Sequence, residues 1–341
     1  MTPTPNRKLA LILFLVFPIF SFLLSMCIGS YSVPLPAIVK MIAAKVIAIT
    51  FGEFSLESYP VYEKVLFQVR LPRIVAAMLV GSALAVSGAV LQAIFRNPLV
   101  DTYILGISAG AAFGAALAIG FLPASVEVSA FVFSMVAMFL TYSLSKVRGR
   151  VTVTSLILAG IIMNAFFLAL ASLLRFSMEY VELIGVVYWL MGSFADSDWN
   201  VVSRIAVPTI AGCIIVYLMR WHLNVLSMGE EAQILGIDVG KMRFIYVSIV
   251  SFITAVAVAY CGIIGWIGLI TPNIVRAIFG PDHKLLIPLS IAAGSGLMVL
   301  ADDVARSLTE FEIPIGIVTT ILGIPFFMYL IRKTEGGEWH A

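Results

Sequence analysis

In a chain this apolar, chemistry falls to a few polar residues. Arg70, Arg73 and Arg306 stand at the expected outer ends of hydrophobic runs. A guanidinium is planar, permanently charged and matched in shape to a carboxylate. These three suit the docking of an acidic partner or ligand; snorkelling to lipid headgroups is the plainer alternative. Asp302-Asp303 offers a metal or proton site. Asp303 also lies three residues before Arg306 on one helix face, so a structural ion pair is simpler. The run Asp-Asp-Val-Ala-Arg ends in arginine and lacks the double-aspartate spacing of a prenyl-diphosphate enzyme. Asn164, Thr319 and Thr320 are the deepest polar residues of their runs. Polar groups at such depth face a cavity or a helix contact, which makes them candidates for lining a path.

A second constellation lies between Asn224 and Arg243. It reads Ser227-Met-Gly229-Glu230-Glu231-Ala232-Gln-Ile-Leu235-Gly236-Ile-Asp238. Glu230 to Leu235 makes a little over one helical turn, opened by Gly229 and closed by Gly236 as a C-cap. Two acids in the first turn suit the helix dipole. A plain connector needs about four residues. A segment this long, capped and charged, fits a docking turn for a soluble partner better than a solvated link.

Other chemistry is excluded. Gly240-Lys241 is followed by methionine and position 235 is leucine, so there is no P-loop and no ATP site of this chain's own. No His-Glu-x-x-His, nucleophile elbow or carboxylate pair occurs, and no residue is assigned a catalytic or metal-binding role. Cys27, Cys213 and Cys261 are scattered in apolar runs and read as packing residues. His222, His283 and His340 sit near run edges without ligand spacing.

These residues must be positioned by membrane spans. The 341 residues are 61% hydrophobic and 12% charged, with mean hydropathy +1.06. A soluble domain carries about twice that charge. The net charge of +2 gives no reason to propose nucleic-acid binding. On a rule of about 20 apolar residues per crossing, ten spans fall near 9–29, 74–95, 102–121, 126–145, 153–174, 201–221, 243–262, 264–280, 284–302 and 314–331. The expectation is an all-α polytopic protein, one transmembrane domain over 1–341, with 222–242 as an inner loop. Arg7-Lys8 before the first run imitates a signal peptide, but the run is too long and lacks a clear cleavage site, so it reads as an uncleaved span. With the N-terminus inside, 13 of the 21 Lys and Arg residues fall on inner segments, and Lys146-Val-Arg148-Gly-Arg150 is the sharpest marker. Both termini are expected to be cytoplasmic. Residues 36–50 form an expected surface helix outside, and 180–200 a re-entrant or interfacial one.

Small residues pattern the spans. Gly106, Gly110 and Gly114 recur every fourth residue and bare one helix face to a neighbouring backbone. That contact lies within one subunit or between two. A weak internal repeat pairs Ser87-Gly88 with Cys261-Gly262, each followed by a proline break, Asn97-Pro98 and Thr271-Pro272. Repeats with broken helices commonly build transport paths. An ion-driven transporter would need buried ionisable groups at mid-membrane; spans two to five offer Gln92 and Asn164, both neutral. A membrane enzyme would need His, Asp or Glu clustered at one depth. A scaffold subunit would pass no ligand.

Arg70-Leu-Pro-Arg73, Ser87-Gly88-Ala-Val-Leu-Gln92, Asn97-Pro98-Leu99, Leu105-Gly106-Ile-Ser-Ala-Gly110, Gly229-Glu230-Glu231-Ala232 with Leu235-Gly236, Leu300-Ala-Asp302 and Pro314-Ile-Gly316 together resemble one family over about residues 10–333. It is that of the FecCD-like permease subunits of ABC importers for iron-siderophores, haem and cobalamin. The resemblance implies a type II importer fold and a homodimer of ten-span subunits with the path between the copies. It implies two cytoplasmic ATPase subunits that bring ATP and Mg, none of it bound by this chain, and an extracytoplasmic binding protein. It puts Gly229, Glu230, Glu231, Ala232, Leu235 and Gly236 at the ATPase groove, with glutamate where the family has alanine at the second position. It gives binding-protein docking to Arg70, Arg73 and Arg306, a cytoplasmic gate to Thr152, Thr154 and Ser155, and path lining to the fifth and tenth spans. Iron-siderophore is the first expectation for the ligand, with haem, cobalamin and molybdate or tungstate as alternatives.

Overall fold

Backbone polar groups in lipid must be satisfied inside the protein, and for an apolar chain without a closed barrel that means helices. The computed structural model describes residues 7–29, 31, 33–51, 60–147, 149–309 and 311–334 and is almost wholly helical. Arg148 and His340 lie outside the described residues. In order, the chain runs α1 (Arg7–Cys27), α2 (Leu35–Phe51), α3 (Pro60–Lys64), a π turn (Val65–Arg70), α4 (Leu71–Phe95), α5 (Ile107–Gly120), α6 (Val126–Leu144), a two-stranded ribbon of β1 (Lys146–Val147) and β2 (Arg150–Val151), α7 (Val153–Phe176), α8 (Tyr180–Met191), α9 (Trp199–Leu226), a 3₁₀ turn (Gly229–Leu235), α10 (Val239–Cys261), α11 (Ile267–Phe279), α12 (His283–Ser307) and α13 (Ile315–Thr334). The ends are termed inner, where the ribbon lies, and outer, following the charge bias.

Ten of these helices fall on the ten expected spans, but they are not alike. Seven described helices are long and apolar enough to cross a membrane by themselves. α5 and α11 have 14 and 13 residues, about 20 Å each at 1.5 Å per residue, short of a core about 30 Å thick. Irregular backbone precedes both. The third span was expected from residue 102, yet helix starts only at Ile107, behind Gly106 at φ +80°. Likewise Gly262 (φ +70°) and Trp266 (φ +74°) bracket an unwound run before α11. Conversely, the second span was expected from residue 74, whereas continuous helix reaches back to Pro60 through the π turn.

α4 lies at the centre, buried along most of its length. Small residues let it approach its neighbours. A Cβ at Gly81 would stand 2.2 Å from the Gly294 carbonyl oxygen on α12, and one at Gly294 would stand 2.5 Å from that of Gly81. At Gly88 the clash would be with the Gly268 oxygen of α11, at 1.8 Å. Only glycine tolerates such backbone contact. The face of Gly110 and Gly114 is covered by α6 of the same chain: added Cβ atoms would meet the Phe133 and Ser129 carbonyl oxygens at 2.4 Å each. Of the two contacts considered for these glycines, the structure realises the one within a subunit. Hydroxyls reinforce it. Ser129 donates to Gly114 O (2.7 Å), Ser134 to Ile107 O (3.1 Å) and Thr141 to Leu105 O (3.0 Å).

Candidate functional site

The inner site is built from punctuation. α9 ends at Leu226, Ser227 caps it, and Gly229 at φ +77° turns the chain into a single 3₁₀ turn that Gly236, also at φ +77°, ends. Two left-handed residues within eight positions favour glycine at both. The segment is wound as 3₁₀, more tightly than an α turn. Ala232 is buried and anchors the turn, while Glu231 and Gly236 are exposed. The side chains of Glu230 and Leu235 lie outside the described residues. Arg96, itself at φ +51° after α4, lays its guanidinium against Gly229, where a Cβ would come within 2.5 Å of Nη1. The turn therefore rests on the end of the central helix. Asp238 then caps α10 by accepting from Lys241 N at 3.0 Å.

Thr152 and Ser155 form a capping box at the start of α7: Ser155 N donates to Thr152 Oγ1 (3.1 Å) and Thr152 N to Ser155 Oγ (3.0 Å). Thr154 is exposed beside them. Val151, just before the box, accepts a hydrogen bond from Arg243 of α10. The start of α7 is thus fixed to the ribbon and to α10.

The three expected lining residues part company. Thr319 is buried and donates to Gly316 O at 3.2 Å, so its side chain serves α13 rather than a path. Thr320 donates to the same carbonyl at 2.6 Å and lines an apolar cavity of about 430 Å³ with Tyr103, Met191, Trp266 and Ile321. Asn164 is half-buried on α7 and does not belong to that cavity. Tyr103 and Trp266 were not singled out from sequence. The Tyr103 hydroxyl donates to Ile264 O (2.8 Å) and accepts from Ile264 N (3.2 Å), joining the two unwound segments. The Trp266 ring covers Gly323 of α13, where a Cβ would come within 2.9 Å of it.

A buried polar network was also missed. Pro272 was expected to break its span, yet it lies inside α11. Proline there leaves the Gly268 carbonyl, four residues back, without its helical donor. Gln92 of α4 reaches across: its Nε2 lies 3.5 Å from Gly268 O, 3.3 Å from Leu269 O and 3.4 Å from Val100 O. Its Oε1 accepts from Arg276 at 3.0 Å, Arg276 also holds Asn273 Oδ1 at 2.7 Å, and Asn273 Nδ2 reaches Pro98 O at 2.9 Å. A proline in an apolar run, four residues before an arginine, was the available signal.

At the outer end the structure places Arg70, Arg73 and Arg306 in one cluster, all buried. Asp302 holds Arg73 from the side, at 2.9 Å to Nε and 2.9 Å to Nη2, and Glu312 takes Nη1 at 2.8 Å. Asp303 pairs with Arg306 at 2.5 Å, the bond the spacing suggested. Ser25 of α1 donates to Asp303 at 2.6 Å and accepts from Arg306. Arg70 donates to the carbonyls of Met26 and Tyr31. All three arginines expected to receive a partner are engaged within the chain. The exposed member is Glu312, whose side chain is 41% accessible against 2% for Asp302.

A helical membrane bundle with paired unwound segments is an architecture that transport permeases use. The chain belongs to the FecCD transport family, which it matches over residues 15–333, and it is the permease subunit of an ABC importer. It is 41% identical to the molybdate import permease MolB of Haemophilus influenzae, over 92% of each chain. It is 40% identical to the cobalamin import permease BtuC of Halobacterium salinarum, over 78% of this chain and 73% of that one. A solved structure described as an inward-facing, metal-chelate type ABC transporter superposes with a TM-score of 0.84 at 37% identity, covering 96% of this chain and 99% of the other.

Proposed function

We propose that this permease imports a chelated metal, in the first reading iron held by a siderophore, through a path between two copies of the chain. Two cytoplasmic ATPase subunits, which supply ATP and Mg, seat on the 229–236 turns, and a binding protein delivers the ligand at the outer end. The observation that carries the reading is the inner turn, bounded by two left-handed glycines, anchored by Ala232 and resting on Arg96. A push on it reaches α4, α9 and α10 together. Alternating access follows when that push opens one end of the path and closes the other, with the Thr152–Ser155 start of α7 as the inner gate and Asn164 and Thr320 facing the path. The exposed apolar stripe of α7, including Leu158, Ile161, Ile162 and Phe166, supports placing this helix against a second copy. At the outer end, a docking carboxylate would exchange with Glu312 on Arg73.

A chelate suits the cavity beside Thr320, which is lined by aromatic and aliphatic groups and whose Tyr103 and Thr320 hydroxyls are already engaged. Molybdate is the second reading, favoured by the 41% identity to MolB. The test is purification of the chain in mild detergent from its native cells, then reconstitution with the partners recovered and uptake of a ferric hydroxamate or of molybdate. A P-loop ATPase at equal stoichiometry and uptake of the ferric chelate is the expected result. Uptake of molybdate alone replaces the first cargo by the second. Recovery without an ATPase, even with ATP trapped, overturns the coupling role of the turn.

A further inference from the structure

Between the ribbon and the start of α10 the inner end opens into a cleft of about 1160 Å³. Its lining is one-sided in charge: Lys146, Arg150, Lys241 and Arg243 against Asp238. The aspartate is committed to capping α10. Arg243 is buried and ties the two walls through Val151 O. Lys146, Arg150 and Lys241 are exposed, and among the described residues no carboxylate lies within ion-pairing distance of any of them. Cations gathered on one concave surface reinforce each other's potential and attract an anionic partner. The outer end of the same molecule shows the alternative, where Arg70, Arg73 and Arg306 are engaged inside the chain.

The walls say which anion. One continues directly from the docking turn, and Gly236 itself lines the cleft. The other is the ribbon, whose second strand passes through Val151 into the Thr152 cap of α7. A body seated on the turn meets the cleft without moving further. We propose that the cleft takes an acidic segment of the ATPase subunit, as a second contact beside the turn, and that this contact reaches the start of α7 as well as that of α10. The inference rests on the reading that the turn seats the ATPase.

The test uses the full chain reconstituted in nanodiscs with the ATPase subunit that co-purifies with it. The affinity of that subunit is measured against salt for the parent chain, for K146E/R150E and for K146Q/R150Q. All three positions of interest lie outside the helices or are solvent-exposed, so thermal unfolding of the chain serves as the control for folding. Charge reversal is expected to weaken binding about tenfold at low salt, neutralisation less, and both differences are expected to shrink in high salt as exposed charges are screened. Equal affinities at low salt overturn the inference while leaving the turn in place. A loss seen in phosphatidylglycerol nanodiscs but absent in phosphatidylcholine assigns the cleft to lipid headgroups and also overturns it. A parent chain that retains no ATPase removes the underlying reading, a result distinct from either.

Discussion

The two ends of this permease treat charge in opposite ways. At the outer end, Arg70, Arg73, Arg306, Asp302, Asp303 and Ser25 are buried together, drawn from α1, the π turn, α4 and α12, with Glu312 at the rim. At the inner end, Lys146, Arg150 and Lys241 stand exposed around an open cleft beside a single 3₁₀ turn. Burying a charge is tolerated only when it is paired and hydrogen-bonded. The outer cluster draws its ion pairs and hydrogen bonds from within one chain, and so ties helix ends together. At the inner end, among the described residues, Lys146, Arg150 and Lys241 have no carboxylate at ion-pairing distance. Charge that looks alike in sequence is therefore paired inside the chain in one place and left open to solvent in the other.

The comparison breaks most directly at Arg73. Arg73→Glu would place a third carboxylate between Asp302 and Glu312, and removing one partner of a buried pair costs about 3–5 kcal/mol. The expected outcome is a large fall in melting temperature in detergent. Unchanged stability with weaker binding-protein affinity would make the cluster a docking surface instead of a joint. Gly236→Pro attacks the other end. Proline cannot adopt the φ of +77° found there, and ligand-stimulated ATP hydrolysis is expected to fall at least about tenfold with insertion intact. Normal stimulation would show that the turn does not transmit force. Thr152→Ala removes one half of the α7 capping box, at about 1 kcal/mol. The expected signature is increased leak of a small solute in the absence of ATP, measured in proteoliposomes, with little change in ATP hydrolysis. Glu312→Gln sharpens the outer contrast. Its pair is part-exposed, so the stability loss should stay under about 1 kcal/mol, far below that of Asp302→Asn. Equal losses for the two would mean that the rim is as structural as the core.

Much of this was legible. Hydropathy runs located ten of the described helices, because lipid demands length and apolarity, and seven described helices are long and apolar enough to cross a membrane. Gly229 and Gly236 bounded the inner turn, because left-handed backbone selects glycine locally. What sequence withheld depends on partners far along the chain. Arg73 meets Asp302 across 229 positions, and no local pattern tells an arginine that will be paired from one that will not. The start of α5 was misplaced because Thr102 to Leu105 is apolar enough to count as span, while Gly106 at φ +80° sets the true start. The ribbon escaped notice because its two strands have only two residues each.

The loan of a side chain from α4 to α11 has a mechanical meaning. Gln92 stands in for the donor that Pro272 lacks, and it does so across two helices whose glycines already touch. Sliding α11 past α4 would strand a carbonyl in a medium that offers no replacement. These two helices, with α12 joined to α4 through Gly81 and Gly294, form one tightly knit block, in which a displacement of any member is shared by the other two.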